Sequence, residues 1–545
     1  MQEGSTPRKI FTPLIIAPIG VVVLVVALFV VTWLPLRRAR DSWRANQIPE
    51  AISTAEAWSR VHLWSRQYHQ MLAATYLSIG DTQNAQPHLD ALRSGRTWLS
   101  LLQKSEVANR LFARARYAEF LAYDTAVHGR DDDDVPLYRA AAQLAMNHAA
   151  EAEATAKDID EDDVDAKKLA AFRAALEQRK QGSYPFVIDR KGRTIAAYQF
   201  ANADVVAINT DFAALVDRSA GAYTIEAQSI KLANDTIETT LDADIQKAAM
   251  QALAGFRGSL VAIDVHTNEL LAIASSPGRG PLANSAIEQQ YEPGAIVKVL
   301  TTLNALENGV NVDAMFPYTC NGALAIDGRQ LGDSLPQGHG VLPDLDEALA
   351  ESCDIVFADI GLRLGRDRLK QFTNRARFDM GVNLGLYQVM LGKNLGAPFN
   401  NYETAAYAIG KHQTTTTLHL ATLAWMLANR GVFQAPQLLR VRRSILGEGI
   451  ALGSIGARDQ FVRQATAERV ARAMQAVVTR ERGTGRRAAI EGTSLALITG
   501  DRAILGFTPQ IAFALFVEDA GPAEIAGAKV AHDFLAAVAP IIGRR

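Results

Sequence analysis

The chain has 545 residues and a mass of 59.0 kDa, room for about three globular units at roughly 100–200 residues each. Lys plus Arg is 56 against 58 for Asp plus Glu, a net charge of -2 that excludes the basic surplus of a nucleic-acid binder. Hydrophobic residues at 48% and charged residues at 21% exclude a mostly disordered or polytopic chain, and two cysteines, Cys320 and Cys353, exclude a disulfide framework, a four-thiolate zinc site or an iron–sulfur cluster.

From Ile10 to Leu36 there is no charged residue, and the run contains Val21 to Ala27 and Leu28 to Val31 without a break in apolar character. At about 1.5 Å per residue, residues 13–36 reach about 36 Å, enough to cross a hydrocarbon core of ~30 Å with some tilt. Trp33 belongs at an interface, and Thr32, Trp33 and Leu34 stand where a cleavable signal would carry small residues, so an uncleaved anchor is expected after a short segment 1–12. Arg8 and Lys9 precede the span while Arg37, Arg38, Arg40 and Arg44 follow it, an asymmetry that taken alone leans towards a cytoplasmic carboxy-terminal part.

Residues 37–182 are helical in pattern, rich in Ala, Leu, Glu, Gln and Arg. Asn46, Gln47 and Ala51 recur as Gly80, Asp81 and Ala85, one period of a tetratricopeptide helix pair further on, with Tyr76, Leu89 and Leu92 at packing positions. The register does not extend past Leu92, so tetratricopeptide pairs and a generic helical bundle both remain open, and either serves as a docking or spacing module. The acidic runs Asp131 to Asp134 and Asp158 to Asp165 lack the glycine and terminal glutamate of a calcium loop and read as solvated loops.

At Ser183 the pattern turns to β: Tyr184 to Ile188 and Thr194 to Ala196 flank a polar turn with Gly192, opening a β-rich linker over 183–239. Leu241, Ile245, Ala249 and Leu253 form a helical stripe, and Ser259–Asp264 with Glu269–Ala274 form a hairpin. Leu495–Thr499, Ile504–Phe507 and Ile511–Val517 read as further strands before a helix near Ala526 to Ala537. Strands from both ends of 240–545 then pair into one antiparallel sheet flanked by helices, so the fold class is α+β with an anchor and an all-α module.

Within that region stand Thr240-Leu241-Asp242, Leu260 to Asp264, Tyr291-Glu292-Pro293-Gly294-Ala295-Ile296-Val297-Lys298, His339-Gly340, Ala348 to Phe357 around Ser352-Cys353-Asp354, Leu427 to Gly431, Gly483-Thr484-Gly485, Ile498-Thr499-Gly500 and Leu505 to Pro509. This collinear series, over about residues 236–545, resembles the transpeptidase domain of penicillin-binding proteins. The resemblance implies a serine on the first turn of a helix that attacks an acyl-D-Ala-D-Ala peptide or a β-lactam, with a lysine at i+3 to take its proton. It also implies a serine-x-asparagine motif that assists proton transfer and a lysine-threonine-glycine strand that aligns the substrate.

Each motif departs from that pattern. The nucleophile's position is Ala295, with Lys298 retained; the second motif reads Ser352, Cys353, Asp354; the third reads Ile498, Thr499, Gly500; the glycine-rich signal before the next helix reads Gly410-Lys411-His412. A methyl group forms no acyl-enzyme, and Ser285, with Glu288 at i+3, offers no substitute. Loss of a serine hydrolase's nucleophile costs about 10⁶ in kcat, or roughly 8 kcal/mol of barrier. Three altered motifs point to a pseudoenzyme, and the joint change at Ala295 and Asp354 suggests that Lys298 pairs with Asp354. Cys320 and Cys353 read as small buried fillers or a disulfide, the histidines show no ligand spacing, and no metal or other cofactor is expected.

The resemblance places the chain in the bacterial inner membrane with its bulk in the periplasm, against the arginine asymmetry. It implies a scaffold, regulator or muropeptide binder in peptidoglycan synthesis. The partners are then the stem peptide, held weakly or not at all, and cell-wall synthesis or division proteins on the helical module. The alternative is an active D,D-transpeptidase with non-standard residues. No paired-glutamate glycosyltransferase signature precedes the region.

Overall fold

The computed structural model describes residues 16–58, 64–95, 100–129, 131–216, 235–278, 284–386, 388–450, 456–518 and 524–543. The segment 1–12 and the first residues of the expected span therefore lie outside the described residues. The chain divides into two compact units: Met1–Gln181 with Leu232–Asn234 and Arg443–Ile450, and Gly182–Lys231 with Asp235–Arg442 and Ala451–Arg545.

The first unit opens on one long helix, Ile16–Arg44, long and apolar enough over Val21–Arg44 to cross a membrane. The arginines after Leu36 do not end it. Val21 to Leu28 are exposed, with Leu24 at 70%, whereas Leu36, Ala39 and Trp43 are buried in the helical core, and Trp43 Nε1 donates to Ser78 Oγ at 3.2 Å. One helix thus carries an apolar exposed half and a half committed to tertiary packing.

The repeat that faded from the sequence at Leu92 continues in the backbone. Asn46, Gly80, Ala115 and Asn147 follow one another at near-regular intervals, and all have positive φ (61°, 79°, 53° and 71°). After each, an amide donates back across the helix end: Gln47 to the Ser42 carbonyl, Asp81 to Tyr76, Arg116 to Leu111 and His148 to Gln143, at 2.8–3.0 Å. This left-handed C-terminal cap recovers carbonyls the helix leaves open. It turns the chain from Ile16–Arg44 into Ile48–Trp58, from Ser65–Ile79 into Thr82–Arg93, from Lys104–Phe112 into Tyr117–Ala126 and from Val135–Ala145 into Ala149–Thr155. Four helix hairpins result, of the period expected for tetratricopeptide pairs, and the long amino-terminal helix supplies the first arm.

Of the two acidic runs, the first is not the solvated loop expected. Asp131 accepts from Lys104 Nζ at 2.8 Å and Arg139 Nη2 at 2.6 Å, and Asp132 accepts from the Ser105 amide and hydroxyl. Burial works to raise the Asp131 carboxyl pKa, but the two cations outweigh it and hold it below its ordinary value. The second run stays largely exposed and ends at Asp165, whose carboxylate caps the helix Ala166–Lys180.

In the second unit the central sheet is antiparallel, in the order Ala496–Thr499, Ala503–Phe507, Ile511–Glu518, Arg257–Asp264, Leu270–Pro277. Strands from the two ends of the region meet where Ala514 faces Val261 and Leu515 faces Leu260. The buried helix Thr417–Ala428 packs on this sheet, and its Trp425 Nε1 donates to the carbonyls of Asp264 and Val265, each at 3.1 Å. Ala243–Ala252 packs against the Leu270–Pro277 strand and the carboxy-terminal helix Ala526–Ile542. The described residues of the β-rich 183–239 stretch join the same unit: in a second sheet Thr236–Thr239 lies between Ser183–Ile188 and Leu439–Arg443, a strand from far downstream in the chain.

Candidate active site

Three segments converge at one end of the central sheet. A short turn, Gly294–Ile296, feeds the helix Val297–Glu307, so Ala295 stands just before its first turn, 8% exposed, and Lys298 lies one turn on with its side chain 1% exposed. A Cβ on Gly410 would stand 2.1 Å from the Gly294 carbonyl oxygen, and one on Gly500 2.8 Å from that of Pro293. Only glycine allows so close an approach, which is how the altered 410–412 signal and the third motif come to flank Ala295.

Lys298 is fully engaged. Its Nζ donates to the Ser352 carbonyl at 2.5 Å, to Ser352 Oγ at 3.0 Å, and to Asp354 Oδ1 at 2.6 Å. Ser352 has φ +61°, a conformation a non-glycine residue adopts at a cost of roughly 1–2 kcal/mol. That twist turns both its carbonyl and its hydroxyl to the ammonium. The expected Lys298–Asp354 pair is present, and Asp354 Oδ2 also accepts from the Ser334 amide at 3.2 Å. The amine is thus held by three acceptors, and Ala295, three residues earlier, carries a methyl group where a hydroxyl would be needed.

On the opposite side, Ile498 is fully buried on the strand Ala496–Thr499, facing Leu505 across the ladder. Thr499 Oγ1 donates to Thr484 Oγ1 at 2.7 Å, and Thr484 in turn gives its amide and hydroxyl to the Ala350 carbonyl at 3.0 and 3.2 Å. Thr484 thereby connects the third motif to the turn that carries Ser352, a role that its place in the Gly-Thr-Gly signal did not reveal. At the rim, Lys411 Nζ lies 3.6 Å from Glu292 and 4.0 Å from Asp501. The sequence-predicted residues Ala295, Lys298, Ser352, Asp354, Thr499 and Gly500 share this site, while Ile498 presents an apolar side chain where the family motif has a cation.

The family described as "Penicillin binding protein transpeptidase domain" matches residues 258–530, half of the chain. The chain belongs to the penicillin-binding protein transpeptidase family. It is 26% identical over 336 residues to a protein named peptidoglycan D,D-transpeptidase PbpA of Mycolicibacterium smegmatis, covering 52% of this chain and 67% of the relative. It is 30% identical over 235 residues to peptidoglycan D,D-transpeptidase MrdA of Acinetobacter baumannii, covering 37% and 35% respectively, so it spans between about a third and two thirds of these curated relatives. Among solved structures, the D,D-transpeptidase domain of a peptidoglycan glycosyltransferase from Eggerthella lenta matches with a TM-score of 0.55 at 22% identity, over 67% of this chain and all of that one. Penicillin-binding protein A of M. tuberculosis, in a ceftriaxone acyl-enzyme complex, matches with a TM-score of 0.57 at 21% identity, over 66% and 98%. These similarities establish the fold.

Proposed function

We propose that this penicillin-binding-protein relative is a membrane-anchored factor of peptidoglycan synthesis that does not acylate, serving as a scaffold, regulator or muropeptide binder. The observation that carries the reading is the state of Lys298: its amine is consumed by Asp354 at 2.6 Å beside Ala295. A lysine general base must reach the nucleophile, and here the contacts of the amine go instead to the Ser352 carbonyl and hydroxyl and to the Asp354 carboxylate. Ile498 adds to this, since it removes the cation that would attract a substrate carboxylate. The apolar helix supports a bilayer anchor, and the relatives' names, peptidoglycan D,D-transpeptidases, support a periplasmic placement of the bulk.

A second reading has one observation in its favour. Ser352 Oγ lies 3.0 Å from Lys298 Nζ, a serine–lysine contact that could supply a displaced nucleophile for an active transpeptidase. Incubating the detergent-solubilised chain with a fluorescent penicillin separates the two. A non-acylating protein keeps its intact mass; an adduct mapped to the Ser352 peptide supports the second reading and overturns the first.

A further inference from the structure

Beside the cleft, on the far side of Ser352 and Asp354, lies a buried group of side chains that the transpeptidase reading does not use. Cys320 ends the strand Tyr318–Cys320, Asp333 follows the strand Arg329–Gly332, and Cys353 stands directly before the helix Asp354–Leu364. Their donor atoms lie within 4.8 Å of one another. The two sulfurs converge on one carboxylate oxygen, Asp333 Oδ2, at 3.5 Å for Cys320 and 3.4 Å for Cys353. Asp333 Oδ1 lies 3.1 Å from His339 Nε2, and the other ring nitrogen of His339 lies 3.1 Å from Glu351 Oε2. The Asp333, His339 and Glu351 side chains are 0%, 7% and 4% exposed, and both cysteines are buried free thiols.

The geometry points to a metal site: Cys320, Asp333 and Cys353, with His339 as the fourth group, are the ligands of a borderline-soft divalent cation, best zinc. With Zn–S of about 2.3 Å and Zn–O of about 2.0–2.2 Å, a tetrahedral site has a sulfur–oxygen edge of about 3.5 Å, the separation of both thiols from Asp333. As hydrogen bonding alone the arrangement is poor, because a thiol is a weak donor and two of them share one acceptor. His339 is placed as a ligand is: with its proton on Nδ1, donated to the Glu351 carboxylate, Nε2 is left facing Asp333, the outer-shell pattern that fixes a metal-bound imidazole. Arg482 pairs with Glu351 from outside. Hard cations that take only oxygen ligands do not suit two sulfurs.

The backbone is shaped for this convergence. A Cβ on Gly338 would stand 2.2 Å from the Cys320 carbonyl oxygen and one on Gly322 2.0 Å from that of Pro336, both at positive φ, so two glycines let the Asp333–His339 loop press onto the strand that ends in Cys320. Along the chain the ligands stand at positions 320, 333, 339 and 353, a spread that matches no compact ligand motif, hence the expectation of no metal from the sequence. Binding exchanges two thiol protons for the cation: both Cys become thiolates, two protons leave to water, and no electron moves. Because Cys353 lies between Ser352 and Asp354, the metal anchors the segment that holds Lys298, whether or not the chain acylates.

The test uses the full chain, purified in detergent under reducing conditions without chelator. Metal analysis should find about one zinc per chain. After chelation, cobalt(II) should restore a sulfur-to-cobalt charge-transfer band with the intense visible spectrum of a tetrahedral site. Cys320→Ser and Cys353→Ser should each lose that band, Glu351→Gln should bind zinc about 10–100-fold more weakly, and Lys298→Met, in the adjoining cleft, should keep full occupancy. The cobalt spectrum is read on the unaltered chain, so misfolding of a variant cannot decide the outcome. Less than a tenth of an equivalent of zinc after stoichiometric loading, or a cobalt spectrum without thiolate character, overturns the proposal.

Discussion

Replacing Asp354 by asparagine keeps the shape of the side chain and removes its charge, leaving the Lys298 ammonium buried. At 2.6 Å and an effective dielectric near 20, the gross attraction of the pair is about 6 kcal/mol, most of it offset by desolvation of both ions. Stranding one partner of a buried pair typically costs about 3–5 kcal/mol. Here the Ser352 carbonyl and hydroxyl still accept from the ammonium, so Asp354→Asn should cost about 2–4 kcal/mol. Lys298→Met strands a carboxylate that is 20% exposed and holds the Ser334 amide, and should cost about 1–2 kcal/mol. The double variant should recover at least about 2 kcal/mol of the sum, because nothing charged is left unpaired. Urea unfolding read by pulse proteolysis of the transpeptidase unit measures all four proteins. Costs that add to within about 0.5 kcal/mol would refute a coupled pair, and with it the reason given for Lys298 being unable to act as a base.

Other consequences are equally direct. His419 is fully buried, with Nε2 on the Ala376 carbonyl at 2.7 Å, and burial lowers its pKa from 6.5 to about 4. The unfolded chain therefore binds the extra proton first: stability is full above pH 6.5, and about 3 kcal/mol is lost as pH falls to about 4, a slope that His419→Gln should remove in urea titrations at each pH. Ala115 occupies the left-handed turn that glycine occupies at position 80, so Ala115→Gly should stabilise the helical unit by roughly 0.5–1 kcal/mol in thermal melts, against the usual direction for glycine. Trp43→Ala should destabilise the same unit by about 3–5 kcal/mol while leaving membrane partition unchanged in a flotation assay, since the proposed anchor is the exposed apolar half of that helix and Trp43 lies in its packed half. Ala295→Ser alone should take up fluorescent penicillin negligibly, and Ala295→Ser with Asp354→Asn should label at least tenfold faster, because the second change frees Lys298 to act as a base.

What could be read from the sequence was whatever is local or carried by side-chain identity. The Ser259–Ala274 hairpin, the alanine at 295 with its lysine at i+3, and the carboxylate at 354 are of this kind, and they led to the ion pair found at 2.6 Å. The helical repeats beyond Leu92 were hidden because their common mark is a backbone angle, met in turn by Asn46, Gly80, Ala115 and Asn147. The apolar span expected over 13–36 ends at Leu36, whereas the helix that carries it continues to Arg44, since a change in hydropathy is not a helix boundary. Strand Leu439–Arg443 beside Thr236–Thr239, and Cys320 beside Cys353, depend on chain reversals that no periodicity encodes.

The most direct test of the central claim is the intact mass of the unaltered chain after prolonged exposure to a β-lactam, with an active penicillin-binding protein as the positive control. A chain with Ala295 at the nucleophile's position and Lys298 paired with Asp354 keeps its mass unchanged while the control is fully acylated. A mass increase of one opened β-lactam on the unaltered chain, at Ser352 or any other residue, would contradict it.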